Sequence, residues 1–139
     1  MGKIESKEKI YWVNDIEKAV LIAGFTKKPV FLMILKSLCP TCKTLEPEYL
    51  QDKDFRILSK FFVMARSVDQ KSVEELYAVD GHYVPRILFL DSSGKPMEEF
   101  YNSTAKKPEA KYFYPQAEEV VGSMRNVLYH FYSTTKNEE

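Results

Sequence analysis

Apolar and polar residues follow each other along this chain in a pattern that predicts alternating strands and helices. Val30 to Leu35 is an unbroken apolar run, which is typical of a strand buried on both faces at the centre of a sheet. Phe61 to Met64 is a second apolar run. The segment between them, from Cys39 to Lys60, is predicted as one helix, so the two strands are expected to pair in parallel as a β-α-β unit.

Helical spacing of apolar residues predicts three further helices. The first contains Ile16 and Ala23, with Asn14 as its N-cap and Gly24 as its end. A short one is expected from Ser72 to Val79. The last, from Ala117 to Tyr132, is amphipathic. Its inward-facing residues are predicted to be Val120, Val121, Met124, Val127, Leu128 and Phe131.

The remaining segments predict short strands, a hairpin and a loop. Ile10 to Val13 is a β-prone segment, and the hairpin joins Arg86–Leu90 to Met97–Tyr101 through a turn at Asp91–Gly94. A loop follows over residues 102–114. This order predicts an α/β fold, a central mixed sheet flanked by helices. The domain is expected over residues 10–132, between an N-terminal tail of residues 1–9 and a polar C-terminal tail of residues 133–139.

Composition narrows the classes of partner. Twenty basic and twenty acidic residues cancel, so no global field attracts nucleic acid, and nucleic acid is not expected as a partner. No apolar stretch approaches the roughly 20 residues that cross a bilayer, so no membrane span is expected. The oligomeric state stays open.

Two features bear on the compartment. Residues 1–8 lack the apolar core of a secretory signal, which leaves a cytosolic protein or the mature form of a secretory one as alternatives. Asn102-Ser103-Thr104 is a glycosylation sequon in the predicted loop. A sequon is used only when the chain enters the secretory pathway.

The chain contains two cysteines, Cys39 and Cys42, which are too close in sequence to connect distant segments and therefore favour a redox or metal role. Cys39 lies where a buried strand meets a helix, so free N–H groups and the helix dipole favour its thiolate. Cys42, one turn later, is expected to be more buried and to resolve a mixed disulfide formed on Cys39. Pro40 begins the helix and leaves the amide of Cys42 free to face the Cys39 sulfur.

Two other roles for this pair are weaker. A zinc site needs two more ligands, and His82 and His130, the two histidines of the chain, have no paired spacing. An inert buried pair is less consistent with a strand-to-helix junction, where reactive cysteines are found. No metal and no cofactor are therefore expected.

The Cys-x-x-Cys motif after an apolar strand, Pro47, and Val84-Pro85 before the strand of Arg86 together resemble the thioredoxins. The resemblance implies a thioredoxin fold in which Pro85 is cis and lies beside the cysteine pair. It also implies that the backbone of Val84 pairs with an incoming peptide. Val84 and Pro85 are therefore predicted to bind substrate, and the expected partners are protein or peptide thiols and disulfides.

Residues 81–95, 111–114 and 117–121 are similar to the endoplasmic reticulum family of thioredoxin domain-containing protein twelve and the anterior gradient proteins. This resemblance implies a thiol-disulfide oxidoreductase of the reticulum lumen, with a removed or omitted signal peptide, that forms, reduces or isomerises disulfides in secretory proteins. Two alternatives are a non-catalytic client-binding module and a cytosolic thioredoxin-type reductase. The presence of both cysteines favours the enzyme.

The sequence departs from thioredoxins in the Pro40-Thr41 pair between the cysteines and at two positions near the motif. Leu38 replaces a tryptophan, which changes the surface beside Cys39. Met33 replaces a buried aspartate that in thioredoxins helps to deprotonate the second cysteine. Proton removal from Cys42 must therefore use water or another group.

Overall fold

The computed structural model describes residues 9–137, and in this range a three-stranded sheet has helices on both faces. The strands are β1 (Val30–Leu35), β2 (Val63–Val68) and β3 (Arg86–Leu90). The helices are α1 (Ile16–Thr26), α2 (Pro40–Leu50), α3 (Lys53–Leu58), α4 (Lys71–Leu76) and α5 (Ala117–Asn137), with a 3-10 turn at Ser59–Phe61. None of the helices described here has the length and apolar character needed to span a bilayer.

β1 is the central strand, as its apolar run predicted. It pairs in parallel with β2, with Val30 opposite Val63, and antiparallel with β3, with Val30 opposite Leu90. All of its residues are buried. The predicted mixed sheet and the β-α-β connection are therefore confirmed.

Alternate side chains of β1 enter two cores, because successive residues of a strand point to opposite faces. Phe31 and Met33 pack on the face covered by α2, α3 and α5. Leu32 and Ile34 pack on the face covered by α1 and α4. The predicted inward face of α5 is confirmed for all six residues, with Leu128 partly buried and the others buried.

The predicted first strand, Ile10–Val13, is reduced to one bridging residue. Val13 donates its N–H to the Met64 carbonyl at 2.8 Å, and its own carbonyl accepts the backbone N–H of Arg66 at 3.0 Å. Pairing stops there because Asp15 begins α1: its carboxylate accepts the N–H groups of residues 17 and 18. Asn14 is therefore not the N-cap.

Two predicted helix ends were wrong. α1 continues past Gly24 and ends at Thr26, where Lys27 adopts a left-handed φ of 56°. The helix predicted from Cys39 to Lys60 is broken after Leu50, because the Asp52 carboxylate accepts the Phe55 N–H at 3.0 Å and starts α3.

β2 and α4 are shifted from their predicted bounds. The strand predicted at Phe61–Met64 begins at Val63 and extends to Val68. Arg66 and Ser67 interrupt its apolar pattern, which is why the apolar run underestimated its length. The helix predicted at Ser72–Val79 begins one residue earlier and ends at Leu76.

The second hairpin strand, predicted at Met97–Tyr101, does not form. Met97 donates its N–H to the Phe89 carbonyl at 2.7 Å. The chain then turns, and the Phe100 N–H donates to the Met97 carbonyl at 3.2 Å. Among residues 9–137, the predicted hairpin is therefore reduced to one isolated bridge, between Leu90 and Pro96.

The C-terminal helix is longer than predicted. α5 extends to Asn137, so residues 133–137 of the predicted tail are helical. The segment has no proline or glycine to stop a helix. Residues 138–139 and residues 1–8 of the predicted N-terminal tail lie outside the described residues.

Candidate active site

The two cysteines lie where β1 gives way to α2. Cys39 is the N-cap of α2 and Pro40 is its first residue. Cys42 follows one turn later, and the two sulfurs form a disulfide with the Cα atoms 5.2 Å apart. This separation lies within the ordinary range for a disulfide, so the backbone can hold the bond without moving.

Their surroundings differ as expected for a nucleophile and a resolver. Cys39 is partly exposed, whereas Cys42 is only 5% exposed and belongs to the core beneath α2. The Cys42 N–H donates to the Cys39 sulfur at 3.1 Å, which confirms the predicted contact. A sulfur at a helix N-terminus that accepts a backbone N–H is stabilised as thiolate.

The loop before Cys39 is fixed by the end of β2. The Asp69 carboxylate accepts the Ser37 N–H at 3.0 Å, and the Asp69 N–H donates to the Leu35 carbonyl at 3.1 Å. Hydrogen bonds from the Ser37 hydroxyl and N–H lower the pKa of the Asp69 carboxyl. Asp69 has a φ of 58°, a conformation that aspartate tolerates better than most residues.

Val84 and Pro85 lie in the loop before β3, and the bond between them is cis, as the resemblance implied. Val84 is partly buried and packs against the same core as Cys39. Among residues 9–137, nothing bonds to the backbone N–H or carbonyl of Val84. This backbone is therefore free to pair with another chain.

Sequence reasoning did not identify Arg86, the buried residue that holds this loop. Its guanidinium donates to the Tyr83 carbonyl at 2.7 Å and to the Glu74 carbonyl at 2.9 Å. Burial lowers the pKa of Arg86 and raises the pKa of Tyr83. In the sequence, Arg86 is noticeable only as a charged residue at the start of an apolar run. That position does not indicate which carbonyl groups it binds.

A cleft of about 740 Å³ opens beside Cys42, between α2 and β2. Glu46 and Arg66 line it and form an ion pair, while Trp12 donates its indole N–H to the other Glu46 oxygen at 2.9 Å. The Arg66 guanidinium stacks over the Trp12 ring at 5.1 Å. Sequence reasoning missed this group because its members are far apart in the chain.

The other candidate residues have no part in this site. In the part of the chain that the structure covers, no three histidine, cysteine or acidic side chains are grouped as metal ligands. Asn102, the sequon residue, is 4% exposed, and its amide donates to the Phe113 carbonyl at 3.0 Å. The Asn102 side chain is therefore buried and hydrogen-bonded within the fold.

Comparison with known proteins identifies relatives of this chain. The sequence model of a family described as thioredoxin-like matches residues 11–92. The human anterior gradient protein 2 homolog is 28% identical over 86 residues, which are 62% of this chain and 49% of the relative. The chain thus matches about half the length of that relative. These matches confirm the resemblance to the anterior gradient proteins.

Solved structures share the fold. A thioredoxin from Thermus thermophilus is 21% identical, with a TM-score of 0.60 over 86% of this chain and 87% of that one. The first thioredoxin domain of mouse protein disulfide-isomerase A4 is also 21% identical, with a TM-score of 0.58 over 86% of this chain and 76% of that one. At this identity the likeness establishes the thioredoxin fold alone.

Proposed function

Because the chain belongs to the thioredoxin-like family, we propose that it is a thiol-disulfide oxidoreductase that forms, reduces or isomerises disulfides in proteins of the secretory pathway. The observation that carries the proposal is the sulfur of Cys39. It caps α2, is partly exposed, accepts the Cys42 N–H at 3.1 Å and is bonded to a buried second sulfur. A pair built in this way supports disulfide exchange.

The exchange proceeds in two balanced steps. When a client is reduced, the Cys39 thiolate attacks one sulfur of its disulfide, and the other client sulfur leaves as a thiolate. Cys42, as thiolate, then attacks the Cys39 sulfur, which forms the internal disulfide and releases the second client thiolate. Two electrons pass to the client. When a client is oxidised, the same steps run in reverse.

The client is proposed to bind as an extended peptide. The unpaired backbone of Val84 offers one donor and one acceptor beside the core that holds Cys39. Leu38, directly before Cys39, is 92% exposed. An apolar client residue next to its cysteine would cover Leu38, which favours unfolded segments over finished surfaces.

We propose the lumen of the endoplasmic reticulum as the compartment, with the cytoplasm as the alternative. The resemblance to the anterior gradient family supports the lumen. Disulfides persist in such an oxidising environment, where a protein of this kind would meet clients in both redox states.

A peptide containing one disulfide, with a fluorophore and a quencher on its two arms, tests the activity. In glutathione buffer, wild type should accelerate cleavage and a Cys39→Ser/Cys42→Ser double variant should not. Leu38→Ser should lower kcat/KM about fivefold, because about 1 kcal/mol of apolar contact is lost. Phe25→Ser is the matched control: its side chain is 89% exposed on α1, at the opposite end of β1.

Equal rates for wild type and the double variant would refute the activity. Equal losses for Leu38→Ser and Phe25→Ser would refute the docking role of Leu38 while leaving the activity in place.

A further inference from the structure

Cys42 must lose a proton before it can attack, and its surroundings raise the question of where the proton goes. An ordinary cysteine thiol has a pKa of about 8.5 and is mostly protonated at neutral pH. Cys42 is buried, and Met33 in the strand beneath it belongs to the same apolar core. Met33 has no group that accepts a proton.

Glu46 lies one turn beyond Cys42 on α2. Residues four apart on a helix share a face, with Cβ atoms about 6 Å apart. Both side chains line the cleft between α2 and β2. Among the described residues that line it, Glu46 is the one carboxylate.

Two contacts hold the Glu46 carboxylate in place. Trp12 donates to one oxygen at 2.9 Å, and Arg66 pairs with the other. Arg66 lies on β2 directly opposite Met33 of β1, which places the cation beside the apolar position. Each carboxylate oxygen accepts more than one hydrogen bond, so these two contacts leave acceptor capacity on both oxygens.

Among the residues that the structure describes, three cations line the cleft that Cys42 and Glu46 share. Lys36 follows β1, Lys43 lies on α2 and Arg66 lies on β2, and all three line the cleft. Of these, Lys36 also lies 3.7 Å from Glu74. The remaining polar lining, Asn14, Ser37 and Gln70, is neutral. Positive charge on three sides favours the thiolate that remains after the proton has left.

We propose that Glu46 exchanges the proton of Cys42, directly or through one water in the cleft. The carboxylate takes the thiol proton as Cys42 attacks the mixed disulfide, and Glu46 becomes a neutral acid. When the reaction runs in reverse, Cys42 leaves as thiolate and Glu46 returns the proton. This inference rests on the proposed disulfide exchange and assigns a residue to its second step.

The two steps appear as separate kinetic phases when the reduced protein reacts with the disulfide reagent dithiobis(nitrobenzoate). Attack by Cys39 releases a first coloured thionitrobenzoate, and attack by Cys42 releases a second. Glu46→Gln keeps an oxygen for Trp12 but accepts no proton. We expect the second phase to slow about a hundredfold at neutral pH, the first phase to stay within about twofold, and the difference to shrink as pH rises, because hydroxide then removes the thiol proton without Glu46.

Three controls separate proton transfer from structural damage. Glu48→Gln removes a carboxylate from the same helix outside the cleft, one that accepts the Ala117 N–H at 3.4 Å, and should leave both phases unchanged. Glu46→Asp keeps a carboxylate and should recover part of the second phase. Added imidazole should accelerate the second phase of Glu46→Gln, since a small base can enter the cleft.

A second phase in Glu46→Gln with the wild-type rate and pH profile would overturn the inference. A slow second phase that neither imidazole nor high pH restores would also overturn it, because it would show a structural role for Glu46. If wild type itself releases no second thionitrobenzoate, the proposed disulfide exchange fails instead.

Discussion

Replacing Cys42 with serine is expected to trap client proteins on Cys39 as mixed disulfides. Cys39 keeps its place at the start of α2 and its partial exposure, so the first attack still occurs. The buried sulfur that would release the client is gone. Turnover should therefore stop after one client per molecule, and non-reducing gels of cell extracts should show discrete high-mass adducts that a reductant dissolves.

Cys39→Ser is the matched control for this experiment. The remaining sulfur of Cys42 is 5% exposed and cannot reach a large client, so few adducts should form. Equal trapping by the two variants would contradict the assignment of nucleophile and resolver.

Replacing Phe31 with alanine should have the largest effect on stability. Phe31 is fully buried on β1, and its ring lies 5.6 to 6.3 Å from four other rings, those of Trp12, Phe55, Phe62 and Phe89. Removing a buried phenyl ring costs about 3–5 kcal/mol. This loss is a large share of the 5–15 kcal/mol that is typical of a whole domain.

Urea unfolding of the oxidised protein measures this loss. Phe25→Ala is the control, because this ring is 89% exposed on α1 and its removal should change the free energy of unfolding by less than about 0.5 kcal/mol. A loss below about 1 kcal/mol for Phe31→Ala would show that the core does not depend on this cluster.

The features predicted correctly from the sequence are those in which one local pattern dominates. The apolar run of β1 is too short for a typical helix, and Cys39 follows it after three residues, so the position of the motif at a strand-to-helix junction follows from the order of residues. The contact between the Cys42 N–H and the Cys39 sulfur also follows, since a residue three positions into a helix faces its N-cap.

The features that were missed depend on contacts between distant segments. Trp12, Glu46 and Arg66 form one group but come from the N-terminal segment, α2 and β2, and each of them alone resembles an ordinary surface residue. The break at Asp52 is an exception, because its capping bond to the Phe55 N–H joins residues three apart, and the helix-forming residues on both sides obscured this local signal.

The length of β2 depends on tertiary context in the same way. The polar end of α5 has a local explanation instead, because it contains no proline or glycine and the helix continues through it to Asn137. Arg66 appeared to end the apolar run of β2, but its charge is met by Glu46 across the cleft, so the strand continues. Propensity and periodicity describe neighbours in the chain and not neighbours in space.

Equilibration of the purified protein with glutathione at a series of redox ratios, followed by counting free thiols, tests the central claim most directly. Because the helix N-terminus and the Cys42 N–H stabilise the Cys39 thiolate, we expect one reversible two-electron transition. Its potential should lie above the value of about −270 mV for thioredoxin and nearer the value of about −180 mV for protein disulfide isomerase. A potential at or below that of thioredoxin would favour a reductase, and a pair that does not exchange with glutathione at any ratio would contradict the proposed function.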